Sequence, residues 1–154
     1  MSDFDRLFLS FFLSKKGRPA IPSRVLIVDD HEIVRQGVRR ILESQNDWEI
    51  CGEARNGREA LRLSEELEPD AIIMDITMPV MNGLEATAEI TKANPDSKIL
   101  IFTMHEPINL PSIERSGAKG VLTKSRAATD LTPALKTILA GQTYTAIGVL
   151  RASI

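Results

Sequence analysis

Five polar residues stand just beyond apolar runs in this chain. Asp29 and Asp30 follow Val25-Leu26-Ile27-Val28, Asp75 follows Ala71-Ile72-Ile73-Met74, Thr103 follows Ile99-Leu100-Ile101-Phe102, and Lys124 lies one threonine past Gly120-Val121-Leu122. Singly, each has an ordinary reading: Asp30 before Glu32-Ile33-Val34 is a helix N-cap, Asp75 starts a turn, Thr103 ends a strand, and Lys124 is a solvated charge. Jointly those readings weaken, because capping gives no reason for a strand to end at Asp75 directly before a Met78-Pro79 loop rather than a helix. Three carboxylates sharing one crevice repel one another unless a cation neutralises them. A set of oxygen donors, with no histidine or thiolate expected among them, suits Mg²⁺, which keeps several waters and takes one or two carboxylates plus a phosphate. Lys124 then offers a point charge to one phosphoryl oxygen, and the Thr103 hydroxyl donates a hydrogen bond to another. Asp75 is left as the nucleophile, its carboxylate attacking phosphorus while cation and lysine offset charge on the equatorial oxygens.

For these residues to meet, the runs that precede them must be neighbouring strands. The three strongest runs are continuous rather than alternating, as expected of central strands buried on both faces of a parallel sheet. Trp48-Glu49-Ile50-Cys51-Gly52 and Gly120-Val121-Leu122-Thr123 are weaker and read as edge strands. Between the runs, apolar residues recur at helical spacing: Val34, Val38, Ile41 and Leu42; Ala60, Leu63 and Leu67; Leu84, Ala88 and Thr91; Leu131, Leu135, Ile138 and Leu139. Asn56-Gly57 and Asn82-Gly83 open the second and third of these segments, Gly141 follows the last, and Gly117 ends a further helix, the fourth in chain order, expected before Gly120. Strands alternating with helices predict an α/β, doubly wound, five-stranded parallel sheet with right-handed crossovers. Strand order 2-1-3-4-5 suits a chain of this length, and it places ligands outside the carboxyl ends of the strands, between strands one and three. All five polar residues fall at that end.

The 154 residues suffice for one domain with its own core. With 19 basic and 21 acidic residues, the net charge of -2 creates no general attraction to nucleic acid or anionic membrane, so no direct nucleic-acid binding is expected. The single cysteine, Cys51, excludes an intrachain disulfide framework and reads as a small core residue in a reducing cytoplasm. Residues 1–22 differ from the rest, with Leu7-Phe8-Leu9-Ser10-Phe11-Phe12-Leu13 followed by Lys15, Lys16 and Arg18. That run falls short of the roughly 20 residues that span a bilayer, and its charges are in the wrong order for a secretory signal. It reads equally as an amphipathic docking helix, a mis-chosen start, or a disordered arm. The main unit is expected at 23–144, with 145–154 as a tail or shortened linker.

The stretches Val25 to His31 (VLIVDDH), Pro69 to Pro79 (PDAIIMDITMP) with Asn82-Gly83-Leu84-Glu85, Ile99 to Glu106 (ILIFTMHE) and Gly117 to Lys124 (GAKGVLTK) resemble receiver domains of two-component response regulators. The likeness runs over about residues 23 to 144 and is nearest the subgroup that usually carries a C-terminal LuxR/NarL-type helix-turn-helix. It implies a flavodoxin- and CheY-like fold and a cytoplasmic signalling module, not a turnover enzyme. By the same resemblance, Asp75 takes a phosphoryl group from a sensor histidine kinase. Asp30, Asp75 and the backbone carbonyl of Thr77 hold Mg²⁺, with Asp29 acting through water. Thr77 and His105 match positions that tune loss of the phosphoryl group, although His105 reads equally as an exposed loop residue. His31 reads as a helix-start residue. Output would pass to an effector protein or a homodimer partner.

Three features depart from that pattern. Val121 stands where the family usually carries a tyrosine or phenylalanine that swings inward. Pro107 and Pro111 predict a truncated or irregular fourth helix. Only ten residues follow Tyr144, too few for a helix-turn-helix. Val121 and the two prolines keep open a receiver-like interaction domain that works without phosphorylation. Two other readings rank lower. A phosphohydrolase usually has a second carboxylate two residues after its nucleophile, where Thr77 stands, and a mononucleotide binder would find Asp29 and Asp30 repelling its phosphate.

Overall fold

The computed structural model describes residues 2–3, 5–6, 21–104 and 108–146. Six strands form one sheet: β1 (Ser23–Val28), β2 (Trp48–Ala54), β3 (Ala71–Met74), β4 (Ile99–Thr103), β5 (Gly120–Thr123) and β6 (Tyr144–Ala146). All pairings are parallel, and the order is β2-β1-β3-β4-β5-β6. The helices are α1 (Glu32–Glu43), α2 (Gly57–Leu67), α3 (Gly83–Ala93), α4 (Leu110–Arg115) and α5 (Ala127–Leu139). The doubly wound architecture and the 2-1-3-4-5 order therefore hold, with one strand added.

Two apolar layers explain the continuous strand pattern. Val25, Ile27, Ile73, Leu100 and Leu122 face Val38 and Leu42 of α1 and Leu131, Leu135 and Ile138 of α5. Leu26, Val28, Ile72, Met74, Ile99 and Ile101 face Ala60 of α2, Ala86 and Ile90 of α3, and Ile113 of α4. Alternate residues of each central strand thus enter opposite layers, and every position of β3 and β4 is buried. Each fully buried Leu or Ile contributes about 1.5–3 kcal/mol, so these strands are the stiffest part of the frame.

Several sequence expectations need correction. Gly120–Thr123 is not an edge strand, because β6 pairs with it from Tyr144 opposite Gly120 to Ala146 opposite Leu122. Three residues are too few to show a period, which is why this strand has no signature. The buried stripe of α3 runs through Gly83, Ala86, Thr87 and Ile90, whereas Ala88 is exposed. Small residues blur the moment there, since Ala and Thr occupy both faces.

The fourth helix is short, as expected, with six residues. Pro111 begins it rather than breaking it. It sits in the first turn, where its missing N–H has no partner to lose, and the Asn109 side chain accepts from Ser112 N at 3.1 Å. Pro107 lies outside the described residues. An unanticipated Pro133 lies inside α5, and the helix continues because Leu131, Ala134, Leu135 and Ile138 around it are buried.

Candidate functional site

The end of β1 fixes the first acid. Asp29 is 2% exposed; its Oδ1 accepts from His31 N at 2.8 Å, and its Oδ2 accepts from Lys124 Nζ at 2.7 Å. Asp30 faces solvent and does not cap α1, because the N-cap is His31, whose side chain makes no capping bond. The expectation of an all-oxygen donor set is also revised. The His31 ring Nδ1 stands 3.0 Å from Asp29 Oδ1 and 3.2 Å from Asp30 Oδ1.

Asp75 follows β3 and is 3% exposed. Its Oδ1 accepts from Ile76 N at 2.9 Å and lies 3.3 Å from Lys124 Nζ. Burial pushes its carboxyl above the ordinary carboxylate range, Asp29 adds to the shift, and Lys124 opposes it. A close backbone approach fixes the loop behind it. A Cβ on Gly83 would fall 1.8 Å from the Asp75 carbonyl oxygen, and Gly83 N donates to Ile76 O at 2.7 Å. Asn82 and Glu85 then close a capping box on α3. Within the same loop Val80 has φ +70°, a left-handed conformation that is costly for a β-branched residue.

Lys124, after β5, brings the two buried acids together: it reaches both Asp29 and Asp75 with its own side chain 10% exposed. Thr103 is fully buried at the end of β4, in register with Thr123. Thr77 is exposed two residues beyond Asp75. It shares with Thr103 a cleft of about 220 Å³, otherwise lined by Ile76, Leu84, Ile108, Asn109 and Ile113. His105 lies outside the described residues. Val121 is buried in the layer beneath α2, α3 and α4.

Ligand atoms of Asp29, Asp30, His31 and Asp75 all lie within 4.8 Å of one another. Three carboxylates against one lysine leave negative charge in excess, so the donor set fits a hard divalent cation such as Mg²⁺. The family model of the response regulator receiver domain matches residues 25–136. This chain is a response-regulator receiver domain. A response regulator GacA from Pseudomonas viridiflava is 38% identical to this receiver over 122 residues, covering 79% of this chain and 57% of that protein. The response regulator UvrY of Escherichia coli K12 is 40% identical over 123 residues, covering 79% and 56%. The chain thus spans little more than half the length of these relatives. A LuxR-family two-component response regulator from Aurantimonas sp. SI85-9A1 superposes with a TM-score of 0.76 at 39% identity, over 80% of this chain and 89% of that one. The receiver is a signalling domain of two-component systems, and among its described residues no helix is long and apolar enough to cross a membrane.

Arg35 was not legible as part of the site. It is 4% exposed on the inner stripe of α1 with Val38 and Leu42. Its Nη1 donates to the Asp29 carbonyl at 2.7 Å, and its Nε donates to Glu53 Oε1 at 2.7 Å. A charge three residues before Val38, on an otherwise apolar stripe, was the available signal.

Proposed function

We propose that this receiver accepts a phosphoryl group on Asp75 from a sensor histidine kinase in the cytoplasm and signals through contacts with an effector protein or a second receiver. The observation that carries this reading is Lys124 Nζ reaching both Asp29 and Asp75 in a buried acidic pocket. An Asp75 carboxylate oxygen forms the new bond to phosphorus, and the bond to the donor's leaving atom breaks with its electron pair departing on the donor. Lys124 and the Thr103 hydroxyl hold the phosphoryl oxygens, and Gly83 and Ile76 fix the backbone that aims the carboxylate. Asp29, Asp30, Asp75 and the Thr77 carbonyl would hold Mg²⁺, which when bound supplies positive charge against the phosphoryl oxygens. Thr77 and His105 would tune dephosphorylation, within a functional unit of about residues 23–144.

Treatment with acetyl phosphate and Mg²⁺ should add one phosphoryl mass, and Asp75→Asn should abolish it. Labelling that survives the substitution removes Asp75 from the role. Val121 in the core and the six-residue α4 support a second reading, an interaction domain indifferent to phosphate. Equal partner affinity for wild type and Asp75→Asn, with and without phosphodonor, would favour it.

A further inference from the structure

The largest cleft described lies at the opposite end of the sheet from Asp75. It has a volume of about 670 Å³ and runs between the C-terminal ends of α2 and α3, which is ample for several large side chains. Its floor is apolar: Ile72 and Ile90 are buried there beside half-buried Leu61. Its rim is acidic. Glu65, Glu68 and Glu89 are exposed around it against one lysine, Lys98.

The chain itself enters the fold at the mouth of this cleft. Arg24, the second residue of β1, donates from Nη1 to Leu67 O at 2.6 Å and to Glu68 O at 3.1 Å. Its backbone N donates to Asp70 Oδ2 at 2.7 Å. Preceding it is a segment whose chemistry complements the cleft: Phe8, Phe11 and Phe12 are spaced three and four apart, and Lys15, Lys16 and Arg18 follow. Residues 7–20 lie outside the described residues. The eight residue-to-residue steps from Leu13 to Ile21 reach at most about 27 Å when extended, and Gly17, Pro19 and Pro22 provide points at which the chain can reverse.

We propose that the α2–α3 cleft is the docking site for this chain's own N-terminal segment. Phenylalanines of residues 8–12 fill the apolar floor, and the basic residues 15–18 pair with the glutamates of the rim. Apolar burial holds the segment, whereas the charges set its direction and distinguish this cleft from the opposite face of the sheet. This proposal is independent of phosphate chemistry at Asp75.

Disulfide trapping on the full chain tests it, with Cys51→Ser removing the native thiol. Ser10→Cys combined with Ala93→Cys, on the cleft rim, should close an intramolecular disulfide about tenfold faster than Ser10→Cys with Arg40→Cys. Arg40 is exposed on α1, across the sheet. Its helix leads to Asp47, whose carbonyl accepts from Ser23 N at 2.9 Å, so the control site is also near the arm. Glu65→Lys with Glu89→Lys should remove that advantage. Equal rates for the two pairs, or disulfide-linked dimers as the main product at low protein concentration, overturn docking within one chain. Hydrogen exchange offers a second readout: Phe8→Asp, Phe11→Asp and Phe12→Asp together should accelerate exchange in residues 61–69 and 89–94, and unchanged protection there also overturns the proposal.

Discussion

Asp75 and Glu53 are both acids set against basic side chains, and their carboxyls shift in opposite directions. At Asp75 burial and Asp29 raise the pKa against the opposition of Lys124. At Glu53 burial also acts upward, but the hydrogen bonds from Arg39 and Arg35 outweigh it and the pKa falls. The difference is stoichiometry. Glu53 receives Arg35 Nε at 2.7 Å and Arg39 Nε at 3.1 Å, Arg39 Nη2 bonds it as well, and Arg39 Nη1 donates to Glu43 Oε2 at 2.9 Å, so two guanidinium groups serve two carboxylates. Lys124 serves two buried carboxylates, with Asp30 nearby. The arginine cluster is electrically closed and builds the frame, whereas the lysine pocket keeps a deficit of positive charge that an added cation can fill.

The strongest way to break this comparison is to remove the shared lysine. Lys124→Met should destabilise the metal-free protein by about 3 kcal/mol, since it leaves two buried acids unpaired, and added Mg²⁺ should recover part of the loss. Urea unfolding with and without Mg²⁺ measures both. Arg35→Met should cost about 2 kcal/mol through its bonds to Glu53 and the Asp29 carbonyl, but Mg²⁺ should not restore it. Equal rescue of both variants would erase the distinction between the clusters.

A smaller effect of opposite sign sharpens the contrast. Asp75→Asn should stabilise the metal-free protein at neutral pH, because a raised folded pKa marks an ionised form that folding disfavours. The penalty grows as pH rises from 3.8 through the folded pKa and is complete above it. Glu53 behaves in reverse. Its folded pKa lies below 4.5, so its contribution is present above that value and fades as pH falls through it toward the folded pKa. Wild type compared with Glu53→Gln should therefore differ in the slope of stability on the acid side of pH 4.5. Parallel pH profiles would show that the arginine cluster is not closed as described.

The convergence of Asp29, Asp30, Asp75 and Lys124 was readable because each stands at the end of a run whose burial is total. A polar residue at the carboxyl end of a parallel strand has only one place to go. Arg35 was hidden because helical periodicity looks for apolar residues, and the buried face of α1 includes a guanidinium held by groups from β1 and β2. The contact of His31 with Asp29 and Asp30 depends on local geometry after β1, which residue type does not specify. The α3 stripe was misplaced because alanine and threonine carry little contrast between faces. β6 could not be seen because its pairing depends on a turn after α5, where Gly141 takes φ +88°.

That final strand has a consequence for self-association. Without it, the strand bearing Lys124 would form a border with unsatisfied amides and carbonyls open to another chain. Instead, among the described residues, the border is three residues long, with Thr145 exposed between half-buried Tyr144 and Ala146. So short a template offers a neighbouring molecule little ladder to extend, and the lysine's strand is shielded from recruitment into intermolecular sheets.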